Sequence, residues 1–268
     1  MTEHDSGGHP APTGRVAAVV PAAGAGVRLG AGIPKAFVEL DGRTMLERAV
    51  SGLLASGVVD DVVAVVPADQ VRRAESLLAR LRADDHVVVV TTGGAERTDS
   101  VRNGLAALGA AGSDGEGPDT DRPEATAPEA AVPDTSARYD VVLVHDAARC
   151  LTPAEPIRRV VDAVRAGEVA VVPVLPVIDT VKQVDGDGYV VGTPDRAALR
   201  AVQTPQGFAP DILLAAYDSA GDAATDDAGL VERLGQRVAT VDGDARAFKI
   251  TTAEDRARAL GELTEENQ

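Results

Sequence analysis

The chain has 268 residues, 44% of them apolar and 25% charged, the balance of an ordinary globular protein. Its 42 Asp and Glu against 26 Lys and Arg leave a net charge of -16, which excludes general nucleic-acid binding but not a small anion held by a few local cations. Aromatics at 2% with no Trp exclude a base-stacking platform, and the single Cys150 excludes an internal disulfide and a multi-cysteine zinc site. No apolar run reaches the ~20 residues of a membrane span, and the first 15 residues lack the pattern of a signal peptide. The expectation is a soluble cytoplasmic protein with neither nucleic acid nor membrane as partner.

Residues 1–14 are polar and rich in Gly and Pro and read as a disordered tail. From Arg15 the pattern changes. Short, wholly apolar runs recur at 16–20, 62–66, 87–90, 141–144 and 169–174, as in strands covered by helices on both faces. Between them, 45–56, 68–81, 99–108 and 154–166 carry helical periodicity. This alternation predicts an α/β fold: a doubly wound, mostly parallel sheet with helices on both faces.

Two segments break the rhythm. Residues 112–137 hold Pro118, Pro123, Pro128 and Pro133, each followed by an acid, and seven acids face the lone Arg122. With almost nothing to bury, that stretch reads as a disordered, self-repelling surface insertion whose ends approach the walls of the ligand cleft while the rest loops away. Within 175–204, the strand-like segments around Asp185-Gly-Asp-Gly188 read as a hairpin with a type I′ or related turn, and subunit contact is one use for it.

The chemistry concentrates in loops. Pro21-Ala-Ala-Gly24-Ala-Gly26-Val-Arg28-Leu-Gly30 leads out of the first strand, with Pro34-Lys35 just beyond. Glycine lets backbone N–H groups approach phosphate oxygens with no Cβ in the way. The loop is neither a Walker A motif nor a strict dinucleotide fingerprint, because no Gly-Lys-Ser/Thr closes it and its third glycine is misplaced. Alone it is equally a tight connection. Arg28, a planar fork, and Lys35, a point charge, favour a triphosphate cradle. His145-Asp146-Ala147-Ala148-Arg149 follows another apolar run, where open α/β sheets bind ligands. Asp146 suits a magnesium ion shared with substrate phosphates, although alone it reads as a helix cap, and His145 reads as a packed core histidine. Gly93-Gly94-Ala-Glu-Arg97-Thr-Asp-Ser100, Thr204-Pro-Gln-Gly207 and Phe248-Lys249-Ile-Thr are each, alone, loop punctuation or caps.

Together these motifs resemble the 2-C-methyl-D-erythritol 4-phosphate cytidylyltransferases over 15–263, apart from the acidic insertion. PAAGxGxR…PK is shared with sugar-phosphate nucleotidyltransferases in general. GGxERxDSV, HDAAR, DTVK and TPQ narrow the match. The resemblance implies a single nucleotidyltransferase domain over 15–263, with an arm at about 175–204 and a short tail at 264–268. It implies that Ala22, Ala23, Gly24, Gly26, Gly94, Ser100 and Ala147 bind CTP, and that Arg28 and Lys35 stabilise charge at the α-phosphate. Asp146 would ligate Mg²⁺. Arg149, Thr180, Arg196, Thr204 and Lys249 would contact methylerythritol phosphate, with Thr180 and Arg196 reaching the partner's site in a homodimer.

The implied reaction is in-line attack of the substrate phosphate on CTP, releasing pyrophosphate. The nucleophile is already an anion, so the demand is electrostatic rather than for a strong base. Cys150 stands where the family usually has Pro, and reads as a packing residue rather than a reactive thiol. Ala95 and Ala247 replace residues that are commonly polar. A pentitol-phosphate cytidylyltransferase such as one acting on ribitol phosphate, and a non-catalytic nucleotide-binding protein, are the alternatives; an NAD-dependent oxidoreductase would want the regular glycine fingerprint.

Overall fold

The computed structural model describes residues 14–24, 32–82, 86–110, 135, 138–219 and 226–266. Gly26, Arg28 and nearly all of the acidic insertion lie outside the described residues, as do residues 1–13 of the N-terminal tail. In chain order the elements are β1 (Arg15–Pro21), β2 (Glu39–Leu40), β3 (Arg43–Thr44), α1 (Met45–Ala55), β4 (Asp61–Val66), α2 (Val71–Leu78), β5 (Val87–Thr92), α3 (Arg97–Ala110), β6 (Tyr139–Val144) and α4 (Ala154–Arg165). They continue with β7 (Ala170–Pro176), β8 (Gln183–Val184), β9 (Val190–Gly192), β10 (Arg200–Val202), β11 (Gln206–Phe208), α5 (Pro210–Asp218), α6 (Asp227–Arg233), β12 (Ala239–Asp242) and α7 (Ala253–Glu266).

Every apolar run read as a strand is one. The main sheet has 8 strands in the order β10-β7-β11-β6-β1-β4-β5, with β12 also on β7. β1 pairs in parallel with β4 and β6, and β4 with β5, whereas β11 runs antiparallel to both of its neighbours. Val16, Ala18 and Val20 pack into the core on one face while Ala17 and Val19 pack into the core on the other. That two-residue alternation with no polar face explains why the run carries no amphipathic signal.

A third apolar cluster joins Val38, Leu40, Met45, Cys150, Leu151, Ile250 and Leu263. It clamps the segment before α7 to the loop after β6, helped by the Ile250 N–H donating to the Ala148 carbonyl at 2.9 Å. Cys150, 6% exposed, packs here as expected.

One expectation narrows and one needs correction. The hairpin turn is not type I′: in Asp185–Gly188 only Gly188 has a positive φ, of 86°, and the Asp185 carboxylate accepts the N–H groups of Asp187 and Tyr189. Type I′ needs positive φ at both central residues; here the single left-handed glycine follows a turn closed by Gly188 N–H to Asp185 O, and the β8–β9 register shifts beside it. Nor do the described residues that flank the acidic insertion approach the cleft. α3 starts beside the carboxyl end of β5 and runs back for 14 residues, about 21 Å, to Ala110, and β6 restarts at Tyr139, opposite Arg15 at the start of β1. Both anchors sit at the opposite edge of the sheet from the carboxyl ends.

Candidate active site

In chain order the strands run outward from β1 to β4 and β5 on one side and to β6 on the other. The order therefore reverses between β1 and β6, and ligand crevices in open α/β sheets form outside the carboxyl ends at such a point. Here the Ala22 N–H reaches the Val65 carbonyl (2.7 Å), Gly93 reaches Val66 (2.8 Å) and His145 reaches Val19 (2.9 Å), so three loops leave the sheet side by side. Between them lies a cleft of about 230 Å³. Ala22, Ala23, Gly24, Lys35, Gly94, Ser100, Asp146, Ala147 and Lys249 line it, together with Ala95, Glu96 and Arg97. Motifs spread over 228 positions of sequence thus meet at one place.

Close approach explains the small residues. A Cβ on Gly93 would stand 2.6 Å from the Ala23 Cβ, and one on Gly94 would stand 2.2 Å from the Asp99 Cβ. The Gly94 N–H donates to the Ser100 hydroxyl (3.2 Å), which donates to the Glu96 carbonyl (3.1 Å), so Ser100 shapes this wall. Lys35 opens a short 3₁₀ turn whose next residues, Ala36 and Phe37, are buried, which fixes the backbone from which the ammonium rises.

Asp146 is the electrostatic centre. Its Oδ2 lies 2.7 Å from Lys249 Nζ and 4.0 Å from Arg149 Nε, and its Oδ1 lies 3.6 Å from Arg97 Nη2. Burial alone would raise this carboxyl, but Lys249, Arg97 and Arg149 outweigh it and hold it at about 2. Against a chain charge of -16, the cleft gathers Lys35, Arg97 and Lys249 around the two acids Asp146 and Glu96. Such a local reversal of sign suits a polyanion.

Arg149 and Thr204 stand behind the cleft wall. Arg149 donates to the carbonyls of Ala247 (2.7 Å) and Val202 (3.2 Å). Thr204 is buried, its hydroxyl accepting the Asp146 N–H at 3.0 Å. His145 is buried too, and burial pushes its ring down to about 4 although Asp146 pulls the other way, so it is a neutral packed histidine as read from the sequence. Thr180 and Arg196 are exposed and do not line this chain's own cleft; Arg196 donates to the Ile178 carbonyl.

Sequence reading gave no role to Arg97 or Asp227. The Arg97 fork grips the fully buried Asp227 carboxylate through Nη1–Oδ1 at 2.9 Å and Nη2–Oδ2 at 2.6 Å. The available signal is local: Ala228, Leu230 and Val231 are the apolar face of a short helix, and Asp227 occupies the same buried face. An acid there needs a cation.

A family model described as 2-C-methyl-D-erythritol 4-phosphate cytidylyltransferase matches residues 16–114 and 121–265, interrupted only inside the acidic insertion. The protein of that name from Nocardia farcinica is 56% identical over 242 residues, covering 90% of this chain and 91% of that one. Its namesake from Saccharopolyspora erythraea is 56% identical over 244 residues, covering 91% and 97%. The crystal structure of the Thermus thermophilus protein of that name aligns with a TM-score of 0.68 at 32% identity, over 93% of this chain and 99% of that one. 4-Diphosphocytidyl-2C-methyl-D-erythritol synthase from Anaerococcus prevotii gives 0.73 at 26% identity, over 94% and 96%. The chain belongs to the 2-C-methyl-D-erythritol 4-phosphate cytidylyltransferase family and transfers a cytidylyl group from CTP to that substrate in the non-mevalonate isoprenoid pathway.

Proposed function

We propose that the cleft at the β1–β6 reversal is where the transfer occurs, by in-line attack of the methylerythritol 4-phosphate oxygen on the α-phosphorus of CTP. The observation that carries this reading is the gathering of Arg97 and Lys249 on Asp146 in a glycine- and alanine-lined cleft that Lys35 also lines. Ala22, Ala23, Gly24 and Gly26, with Gly94, Ser100 and Ala147, hold the nucleotide through closely approaching backbone. Lys35 and Arg28 neutralise the charge that builds as pyrophosphate leaves, and no general base is needed.

Magnesium fits the donor set. Asp146 is held ionised at the cleft, and the Lys249 ammonium against it marks a place that already favours a cation. Among the described residues no group of three or more His, Cys, Asp or Glu could hold a metal. One carboxylate suits an ion whose other ligands are phosphate oxygens and water. Bound there, it would shield the triphosphate and allow two anions to meet.

Lys249, Arg149 and Thr204 border the acceptor side, Thr204 through the loop it fixes. Thr180 and Arg196 serve the partner's acceptor pocket in a homodimer. Support comes from the arm: no residue from Pro176 to Val202 is buried, and Ile178 (80%), Tyr189 (74%) and Val191 (59%) expose apolar surface that a second subunit would cover. Among the described residues no helix is long and apolar enough to cross a membrane, and we place the enzyme in the cytoplasm.

The test is pyrophosphate release with each nucleoside triphosphate, offering methylerythritol 4-phosphate or ribitol 5-phosphate. Release only with CTP and methylerythritol phosphate, lost in Lys35→Ala, is expected; release with ribitol phosphate would overturn the acceptor assignment.

A further inference from the structure

Asp227 does not line the cleft, yet its fully buried carboxylate holds the guanidinium that does. It lies 130 positions after Arg97 and binds it through both oxygens, at 2.9 and 2.6 Å, while the buried Tyr217 hydroxyl donates to Asp227 Oδ1. The same Arg97 Nη2 lies 3.6 Å from Asp146 Oδ1. A second route runs from the neighbouring residue. Asp226 accepts Gln206 Nε2 at 3.1 Å, Gln206 Oε1 accepts the Ala228 N–H at 3.0 Å, and Gln206 is two residues beyond Thr204, whose hydroxyl holds the Asp146 backbone. Both routes from the start of α6 end at Asp146.

We infer that Asp227 is a positioning residue for the reaction: it holds Arg97 away from a closer, two-point grip on Asp146, so that the Asp146 carboxylate stays available to a divalent cation. The physical reason is competition. A guanidinium prefers bidentate pairing with a carboxylate, and Arg97 has two within reach, one at hydrogen-bond distance and one just beyond it. With the fully buried Asp227 side chain offering both oxygens, the fork is committed to it. A cation on Asp146 displaces the Lys249 ammonium from Oδ2 in either case; with an amide at 227, Asp146 becomes the better partner for Arg97 and the cation must displace that guanidinium from Oδ1 as well. This inference rests on Asp146 being the metal carboxylate proposed above.

The test uses the full-length enzyme with CTP and Mn²⁺ as a paramagnetic reporter of metal binding, alongside steady-state kinetics. Asp227→Asn, nearly isosteric, is expected to weaken Mn²⁺ binding and raise the half-activating Mg²⁺ concentration ~10-fold or more, the scale of losing an outer partner of a metal site. KM for methylerythritol phosphate should stay unchanged. The Arg97→Met, Asp227→Asn double variant should bind Mn²⁺ no more weakly than Arg97→Met, because Asp227 acts through Arg97. Wild-type Mn²⁺ affinity in folded Asp227→Asn, or additive losses in the double variant, would overturn the inference. Should Asp227→Asn fail to fold, Tyr217→Phe removes only the hydroxyl donor; a shift in the same direction of about 2-fold is expected, and wild-type metal affinity there would equally overturn it. Asp146→Asn separates the two readings: retained Mn²⁺ binding sinks the metal assignment itself, whereas its loss beside an unaffected Asp227→Asn sinks only the role of Asp227.

Discussion

The Thr204 hydroxyl accepts the backbone N–H of Asp146 at 3.0 Å and lies 3.0 Å from His145 Nδ1. A hydroxyl has one proton and two lone pairs, so it holds both the Asp146 N–H and the His145 ring, whichever ring nitrogen carries the proton. The loop bearing Asp146 is thereby tied at its backbone as well as through its carboxylate.

Thr204→Val keeps the shape and removes both bonds. It should cost about 1–3 kcal/mol of stability, the usual penalty for stranding buried polar groups, and lower kcat. Thr204→Ser should restore both. Urea unfolding with steady-state kinetics decides the role: unchanged KM for methylerythritol phosphate means that Thr204 works through Asp146, while a rise confined to that KM means direct contact with the acceptor.

Lys35 separates function from folding. Its ammonium lines the cleft while the adjacent Ala36 and Phe37 do the packing. Lys35→Ala should reduce kcat by ~10²–10³, the scale of losing one preorganised charge-stabilising donor, with an unchanged melting temperature. The same loss is expected for Arg28→Ala. A melting temperature that falls together with kcat would mark Lys35 as structural.

The apolar runs at 16–20, 62–66 and 141–144 declared themselves as strands because burial on both faces leaves no polar alternation to confuse the reading. β11 did not: Gln206-Gly207-Phe208 is three residues long, and its place between β6 and β7 depends on a Cβ-free Gly207 against Val160 rather than on strand composition. α5, α6 and β12 carry weak patterns in an Ala- and Asp-rich stretch. For the site, motifs with unusual local chemistry (glycine runs, isolated cations) were legible. The Arg97–Asp227 pair was not, because its partners are brought together only by the packing of α3 against the later helices.

Cys150 should be inert. Burial pushes its thiol up to about 12, outweighing the nearby charges of Arg48 and Lys35. At pH 8 the thiol form then dominates, and the thiolate that alkylating agents attack is scarce. Native protein should stay unmodified by iodoacetamide over hours and react fully in urea, as read by intact mass. Rapid native labelling would mean that the cluster around Met45 and Ile250 opens.

Gly104 sets the seat of α3 against the sheet. Replacing it with Ala should favour the helix by about 1 kcal/mol on propensity alone. Space argues the other way. The new Cβ would lie 2.4 Å from Val19 Cγ1 and 3.0 Å from Val65 Cγ2, both on fully buried central strands. Branched valines have little χ1 freedom, so the helix must lift, and overpacking of this kind costs ~1–3 kcal/mol. Because Arg97 and Ser100 ride on the first turn of α3, a lifted helix also widens the nucleotide side of the cleft. Gly104→Ala should therefore lower stability and raise KM for CTP. Gly52→Ala in α1 is the control, since its Cβ meets nothing closer than the Thr152 carbonyl at 3.8 Å and should stabilise by about 0.5–1 kcal/mol. If urea titration finds Gly104→Ala as stabilising as Gly52→Ala, α3 has slack against β1 and its seat is not what fixes Arg97 and Ser100.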